Sequence, residues 1–101
     1  EESLYKQFQD FESIESKSFD QCFRLERIEE RMSVFLSYPK LGSLEVWQDV
    51  NFPFVQVFKY NEKTIAIEPM TCGINALNTK EGLMVLSPDQ KWKFKMGLRF
   101  Y

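Results

Sequence analysis

At 101 residues, the chain has the length of one domain of ordinary size. Its residues are 44% hydrophobic, 28% charged and 16% aromatic, a composition that can form a core and that favours strands over long amphipathic helices. The formal net charge of -2 argues against nucleic-acid binding as the main role.

Histidine is absent from the sequence. The chain therefore cannot by itself supply an imidazole as acid, base or metal ligand, which excludes serine–histidine triads, histidine-bound zinc hydrolysis and histidine proton shuttles. The chain could still use carboxylate, thiol or lysine chemistry, or it could share its chemistry with another chain. It could also have no catalytic chemistry. We expect no metal site and no cofactor.

The two cysteines, Cys22 and Cys72, are too few and too far apart for a zinc ribbon or a disulfide scaffold. A single disulfide between them stays possible, but buried free thiols in a reducing compartment are the preferred interpretation. No apolar run approaches the roughly 18 residues of a membrane span, and the acidic start does not resemble a signal peptide. The sequence therefore predicts a soluble cytoplasmic protein without a membrane partner.

The N-terminal third has the weakest pattern. Residues 1–18 are acidic and lack a clear capping residue for the start of a helix. We interpret them as a connecting segment that carries aromatic side chains. Residues 19–30 fit neither the helical nor the strand period. The formal charge changes from -5 over residues 1–30 to +3 over residues 31–101.

From residue 31 onward, apolar and polar residues alternate with the period of two that predicts strands. Strands are expected at 31–38, 43–48, 54–60, 64–68, 83–86 and 92–100. Turn signals separate them at 39–42, 61–63 and 87–89, and residues 71–81 are predicted to form a loop. Turns about every 8–12 residues, without a persuasive helix, predict an all-β architecture of antiparallel strands.

The last predicted strand has the clearest alternation. Its apolar side consists of Trp92, Phe94, Met96, Leu98 and Phe100. We expect Trp92 to pack in the core. The basic residues that alternate with the apolar ones are interpreted as a solvent-facing row rather than a nucleic-acid stripe, and they are Lys91, Lys93, Lys95 and Arg99.

Glu68 is the carboxylate with the most suggestive position. It ends the continuous apolar run Ile65–Ile67, which is typical of a strand buried on both faces, where partial desolvation would strengthen a carboxylate as a base. Spacing alone also allows a surface glutamate at a strand end, or one that caps a backbone amide. Gln56, among Phe and Val residues, is expected to be a buried polar group with a specific but unidentified partner.

The segments around Glu68 resemble the C-terminal end of the aldose 1-epimerase family, the galactose mutarotase-like enzymes. They are, in order, FVQVF at 54–58, IAIEPMT at 65–71, NALN at 75–78, GL at 82–83 and LSP at 86–88. The upstream segment SFDQCF at 18–23 resembles the aspartate-containing segment that precedes the family's final strands. The resemblance implies that residues 1–101 form a single segment, the C-terminal part of a large antiparallel β-sandwich (the galactose mutarotase-like supersandwich).

The resemblance also implies roles for two residues. Glu68 matches the catalytic base, which takes the proton of the anomeric hydroxyl so that the sugar ring can open and close again on the other face. Asp20 matches an aspartate that hydrogen-bonds sugar hydroxyls. The implied activity is that of an isomerase in carbohydrate metabolism, which interconverts the α and β anomers of a free hexose.

One departure from the family limits this expectation. The family's acid is a histidine upstream of the resembling segments, and Gln21 stands where many members carry a histidine. General-acid assistance is typically worth about 10²–10⁴-fold, so this chain alone is expected to be inactive.

Two completions remain open. In the preferred one, the histidines lie on a missing N-terminal part of the same domain or on a second chain, because part of a large sandwich has unpaired edges and uncovered apolar faces. In the other, the chain is a non-catalytic carbohydrate-binding or β-sandwich interaction module.

Overall fold

The computed structural model describes residues 13, 14, 18, 20–25 and 30–101. Its elements are β1 (Asp20–Arg24), β2 (Arg31–Tyr38), β3 (Gly42–Asp49), β4 (Phe54–Asn61), β5 (Thr64–Met70), the single helical turn α1 (Ala76–Thr79) and β6 (Met96–Phe100). The all-β prediction is confirmed. The predicted connecting segment 1–18 lies outside the described residues, apart from positions 13, 14 and 18. No helix in the described part of the chain has the length and apolar character needed to cross a membrane.

The strands form two antiparallel sheets of three strands, in the orders β1-β4-β5 and β2-β3-β6. The predicted turn at 39–42 closes the β2–β3 hairpin. Gly42 has a φ of 103°, a region that favours glycine, and the carbonyl oxygen of Tyr101 would collide with a β-carbon there. Along the described part of the chain, consecutive strands belong to different sheets at three places: between β1 and β2, between β3 and β4, and between β5 and β6.

The C-terminal part of the chain differs from the prediction. The expected strand at 83–86 is wrong, and the last strand begins at Met96 rather than at residue 92. Side-chain contacts hold part of this extended segment: Asn51 donates to the carbonyl oxygen of Lys93 over 3.1 Å, and Asp49 accepts from the backbone N–H of Lys95 over 2.8 Å. Alternation continues here because extended chain outside a sheet also turns successive side chains to opposite sides.

Few apolar side chains are buried among the described residues. They are Val46 of β3, Phe54 and Val55 of β4, and Ala76 of α1. Gln48 is fully buried beside them and donates from Nε2 to the carbonyl oxygens of Phe52, over 2.7 Å, and of Phe54, over 2.9 Å. The amide thus ties β3 to the start of β4.

Replacement of Gln48 by Leu should destabilise the fold. The substitution removes both hydrogen bonds, and carbonyl groups left with fewer partners in a buried site cost about 1–3 kcal/mol. It also removes the buried Oε1 of Gln48, which has no partner among the described residues, and this offsets part of the cost. We therefore expect a loss of about 1 kcal/mol in the free energy of unfolding in urea. Gln21→Leu, at an exposed position of β1, is the control and should change it little. Equal stabilities for the two variants would contradict this role of Gln48.

Glu45 and Gln48 lie on opposite faces of the β2-β3-β6 sheet. The hydrogen bonds of Glu45 make the stability of the fold depend on pH. Glu45 accepts hydrogen bonds from the hydroxyls of Ser33 and Tyr101, the latter over 2.8 Å. Both hydrogen bonds hold the pKa of Glu45 below its ordinary value, and the bond from Ser33 has the larger effect. Nearby arginines make a smaller contribution in the same direction. The bond to Glu45 raises the pKa of Tyr101.

We expect Glu45→Gln to lower the urea midpoint more at pH 7 than at pH 3. A carboxyl whose folded-state pKa is depressed stabilises the fold above its unfolded pKa of about 4.3 and loses that contribution as the pH falls through the folded value. Tyr101 acts in the opposite direction, since its contribution is present below about pH 10 and is lost as the pH rises through its folded pKa. Glu30→Gln is the exposed control, and an equal effect of Glu45→Gln at both pH values would refute the assignment.

Candidate functional site

Polar side chains form a row on one face of the β1-β4-β5 sheet. The register pairs Cys22 with Gln56 and Gln56 with Glu68, so these positions share a face. Asp20 precedes Cys22 by two residues on β1 and lies on the same face. The Gln56 side chain donates from Nε2 to Oδ1 of Asp20 over 2.7 Å. The two site residues predicted from the sequence therefore lie on one face, with Gln56 between them.

Gln56 has the specific partner that the sequence could not identify, and that partner is Asp20. One end of its amide is occupied by this bond. The other end, Oε1, is buried and accepts no hydrogen bond from the described residues. An unsatisfied buried acceptor costs about 1–3 kcal/mol. Oε1 of the core residue Gln48 is buried without a partner in the same way, so this feature by itself does not indicate a ligand.

A cleft of about 530 Å³ opens beside this row. Gln56 and Glu68 contribute its polar lining, Pro69 and Met70 continue along β5, and residues 73–75 form another side. The cleft is shallow and largely open to solvent, so a ligand in it would be only partly enclosed by the described residues. Polar groups beside apolar side chains suit a ligand with hydroxyls and C–H faces.

The loop at 71–82 folds back over the same face and positions that side of the cleft. Glu81 forms an ion pair with Arg24 of β1 at 2.8 Å, and its carbonyl oxygen accepts from the backbone N–H of Gly73 over 3.0 Å. A β-carbon at Gly73 would lie 2.8 Å from Oε1 of Glu81, the mobile end of a half-exposed side chain, so a small side chain there would displace the Glu81 carboxylate. The loop prediction for this region is confirmed, with the short α1 inside it.

The surroundings expected for Glu68 are corrected by the structure. Among the described residues β5 pairs with β4 alone and is an edge strand, where the proline that follows Glu68 is tolerated. The apolar run at 65–67 is only half-buried, and Glu68 is exposed, so the expected desolvation is absent. Glu68 occupies the surface position that its spacing also allowed. It remains open to direct contact with a ligand in the cleft.

Cys22 lies in the row, but its environment opposes nucleophilic chemistry. Burial raises the pKa of its thiol, and the charges of Glu81 and Cys72 add to that effect, while a hydrogen bond from the backbone of Ile74 lowers it. The protonated thiol is therefore favoured at neutral pH. Cys22 and Cys72 are both free, as preferred from the sequence, although they are half-buried rather than fully buried.

Glu68 is the charged side chain in the lining of the cleft, and Asp20 lies on the same sheet face outside that lining. No group of three or more cysteine or acidic side chains within residues 20–25 and 30–101 is placed to hold a metal ion. Asp20 and Glu68 instead flank a neutral amide, an arrangement that accepts hydrogen bonds from several hydroxyls at once. Sequence reasoning found both carboxylates and missed the contribution of residues 73–75.

Comparison of the chain with models of protein families, with curated proteins and with solved structures finds no match in any of the three.

Proposed function

We propose that the chain carries the base and a substrate-binding carboxylate of an aldose 1-epimerase-like isomerase. The observation that carries this proposal is the common face of Asp20, Gln56 and Glu68 beside a cleft. The sequence segments that resemble the family surround these same positions. The substrate class is a free hexose, whose hydroxyls match the acceptors of the row.

Glu68 acts as the base. Its carboxylate takes the proton of the anomeric hydroxyl, and the bond between C1 and the ring oxygen breaks as an acid protonates that oxygen. The open-chain aldehyde rotates about C1–C2 and closes on the other face, with both protons returned. The exposure of Glu68 at the cleft supports direct contact with the anomeric hydroxyl.

Asp20 and Gln56 hold the sugar. Oδ1 of Asp20 is engaged by Gln56, which fixes the carboxylate and leaves its second oxygen for sugar hydroxyls. The carboxylates of Asp20 and Glu68 orient the ring, while the apolar side of the cleft contacts its C–H groups.

The family that the sequence resembles uses a histidine as the acid, and this sequence has none, so the proposal places the acid outside this chain. A missing N-terminal part of the same domain, or a second chain, supplies it. The two free thiols favour a reducing compartment, so we place the assembly in the cytoplasm.

A non-catalytic sugar-binding role is the second candidate. The absence of histidine favours it, since the row can bind hydroxyls without an acid that completes ring opening. This candidate predicts saturable binding of a hexose by calorimetry, with an unchanged anomerisation rate.

Imidazole supplied in solution tests the catalytic proposal on the chain as it exists. We expect the chain alone to leave the mutarotation of freshly dissolved α-galactose at its uncatalysed rate, as followed by polarimetry. Added imidazole buffer should produce a rate increment that depends on the chain and exceeds the increment from imidazole alone, because imidazolium replaces the absent acid. Glu68→Gln should abolish the chain-dependent increment.

Glu62→Gln is the matched control, since Glu62 is an exposed glutamate in the turn between β4 and β5. It should retain the full increment. An increment that survives Glu68→Gln, or that Glu62→Gln removes equally, would contradict the assignment of the base. Saturable hexose binding without any increment would favour the binding module.

A further inference from the structure

The outer edge of β6 is open in the described part of the chain. β6 pairs with β3 along one side, and no described strand pairs with its other side. Met96, Leu98 and Phe100 line one face of this strand and are 48%, 60% and 78% exposed. An unpaired edge with alternating apolar side chains is a template for the addition of another strand.

The other face of the same segment is cationic. Lys93, Lys95 and Arg99 alternate with the apolar residues and are all exposed. Arg99 lies in β6, while the two lysines extend the row just before it. Two carboxylates of β3 share this face: Glu45 lies opposite Arg99, and Asp49 lies opposite Arg31. The outer edge itself still carries the three cations, so a strand added there would meet positive charge on one face and apolar side chains on the other.

Trp47 provides a rigid surface at the centre of the cationic face. Its indole lies over Gly97 of β6, where a β-carbon would come within 2.6 Å of Nε1. The Arg31 guanidinium lies 3.7 Å from the centre of the indole and covers it. The missing side chain of Gly97 thus allows the indole to reach the edge strand.

We propose that β6 is the docking site for an extended strand of a partner polypeptide that alternates apolar and acidic residues. The partner's backbone pairs with the open edge of β6. Its apolar residues pack beside Met96, Leu98 and Phe100, and its carboxylates lie beside Lys95 and Arg99. This inference goes beyond the proposed function, because it requires no sugar chemistry.

The cations at this edge favour an acidic partner strand over a second copy of the chain. A second β6 would bring its own Lys95 and Arg99 beside the first pair, so four cations would share one face of the joined sheet. Like charges at neighbouring cross-strand positions are destabilising, whereas opposite charges stabilise the pair. The cations therefore oppose self-pairing and favour an acidic strand.

Two synthetic peptides test the proposal with the full chain. One alternates glutamate and valine, and the other alternates lysine and valine, both with blocked termini and a fluorescent label. Fluorescence anisotropy should show saturable binding of the glutamate peptide, weakened by added salt, and no binding of the lysine peptide. Lys95→Glu should weaken the glutamate peptide roughly three- to tenfold, because it turns a cross-strand attraction into a repulsion.

Lys63→Glu makes the same charge change at an exposed site in the turn between β4 and β5, and it should leave peptide affinity unchanged. If Lys95→Glu fails to fold by circular dichroism, Lys93→Glu replaces it, with the same expectation. Equal binding of the two peptides, or equal effects of the variants at positions 95 and 63, would overturn the proposal. So would sedimentation equilibrium that shows self-association abolished by Leu98→Glu, since a second copy would then occupy the edge.

Discussion

The register of β4 against both of its neighbours is the constraint on which the candidate site depends. A shift of one residue would move every side chain of a strand to the opposite face. Phe54 and Val55 fix the register by burial, because these adjacent residues face opposite sides of the sheet and are 5% and 2% exposed. With both positions occupied in this way, Gln56 must lie opposite Cys22 and Glu68.

The second sheet contributes to this register through one buried amide. Gln48 of β3 bonds the carbonyl oxygens of Phe52 and Phe54, so the entry into β4 is fixed from the neighbouring sheet. The two sheets therefore have different proposed roles. The β1-β4-β5 sheet carries the proposed sugar site. The β2-β3-β6 sheet provides Gln48, which fixes the start of β4, and the open edge proposed for a partner strand.

The sequence predicted the fold well where alternation coincided with turn signals. The strand at 31–38 and its turn are examples, because one face of that strand is apolar and the next residues include proline and glycine. β1 was not anticipated, since its residues DQCFR show no clear period and its burial follows from pairing with the distant β4. Residues 83–86 and 92–95 were wrongly predicted as strand, because an apolar run or an alternating pattern indicates extended backbone but not the presence of a neighbouring strand.

The candidate site shows the same limit. Sequence resemblance identified Asp20 and Glu68, but the bond between Asp20 and Gln56 joins residues 36 positions apart and depends on the strand register. Edge or interior position is likewise a property of the sheet. The apolar run before Glu68 therefore predicted, wrongly, a strand buried on both faces. The strand order shows that Glu68 lies on an edge strand.

A hexose titration observed by NMR tests the central claim most directly, because it detects where the sugar lies without requiring catalysis. In a ¹⁵N-labelled sample of the chain, added galactose should shift the side-chain amide resonances of Gln56 and the backbone amides of Asp20, Glu68 and residues 73–75. The indole resonance of Trp47, on the other sheet, should remain in place. Shifts centred on Trp47, or no shifts around Gln56 at saturating sugar, would contradict the proposed site.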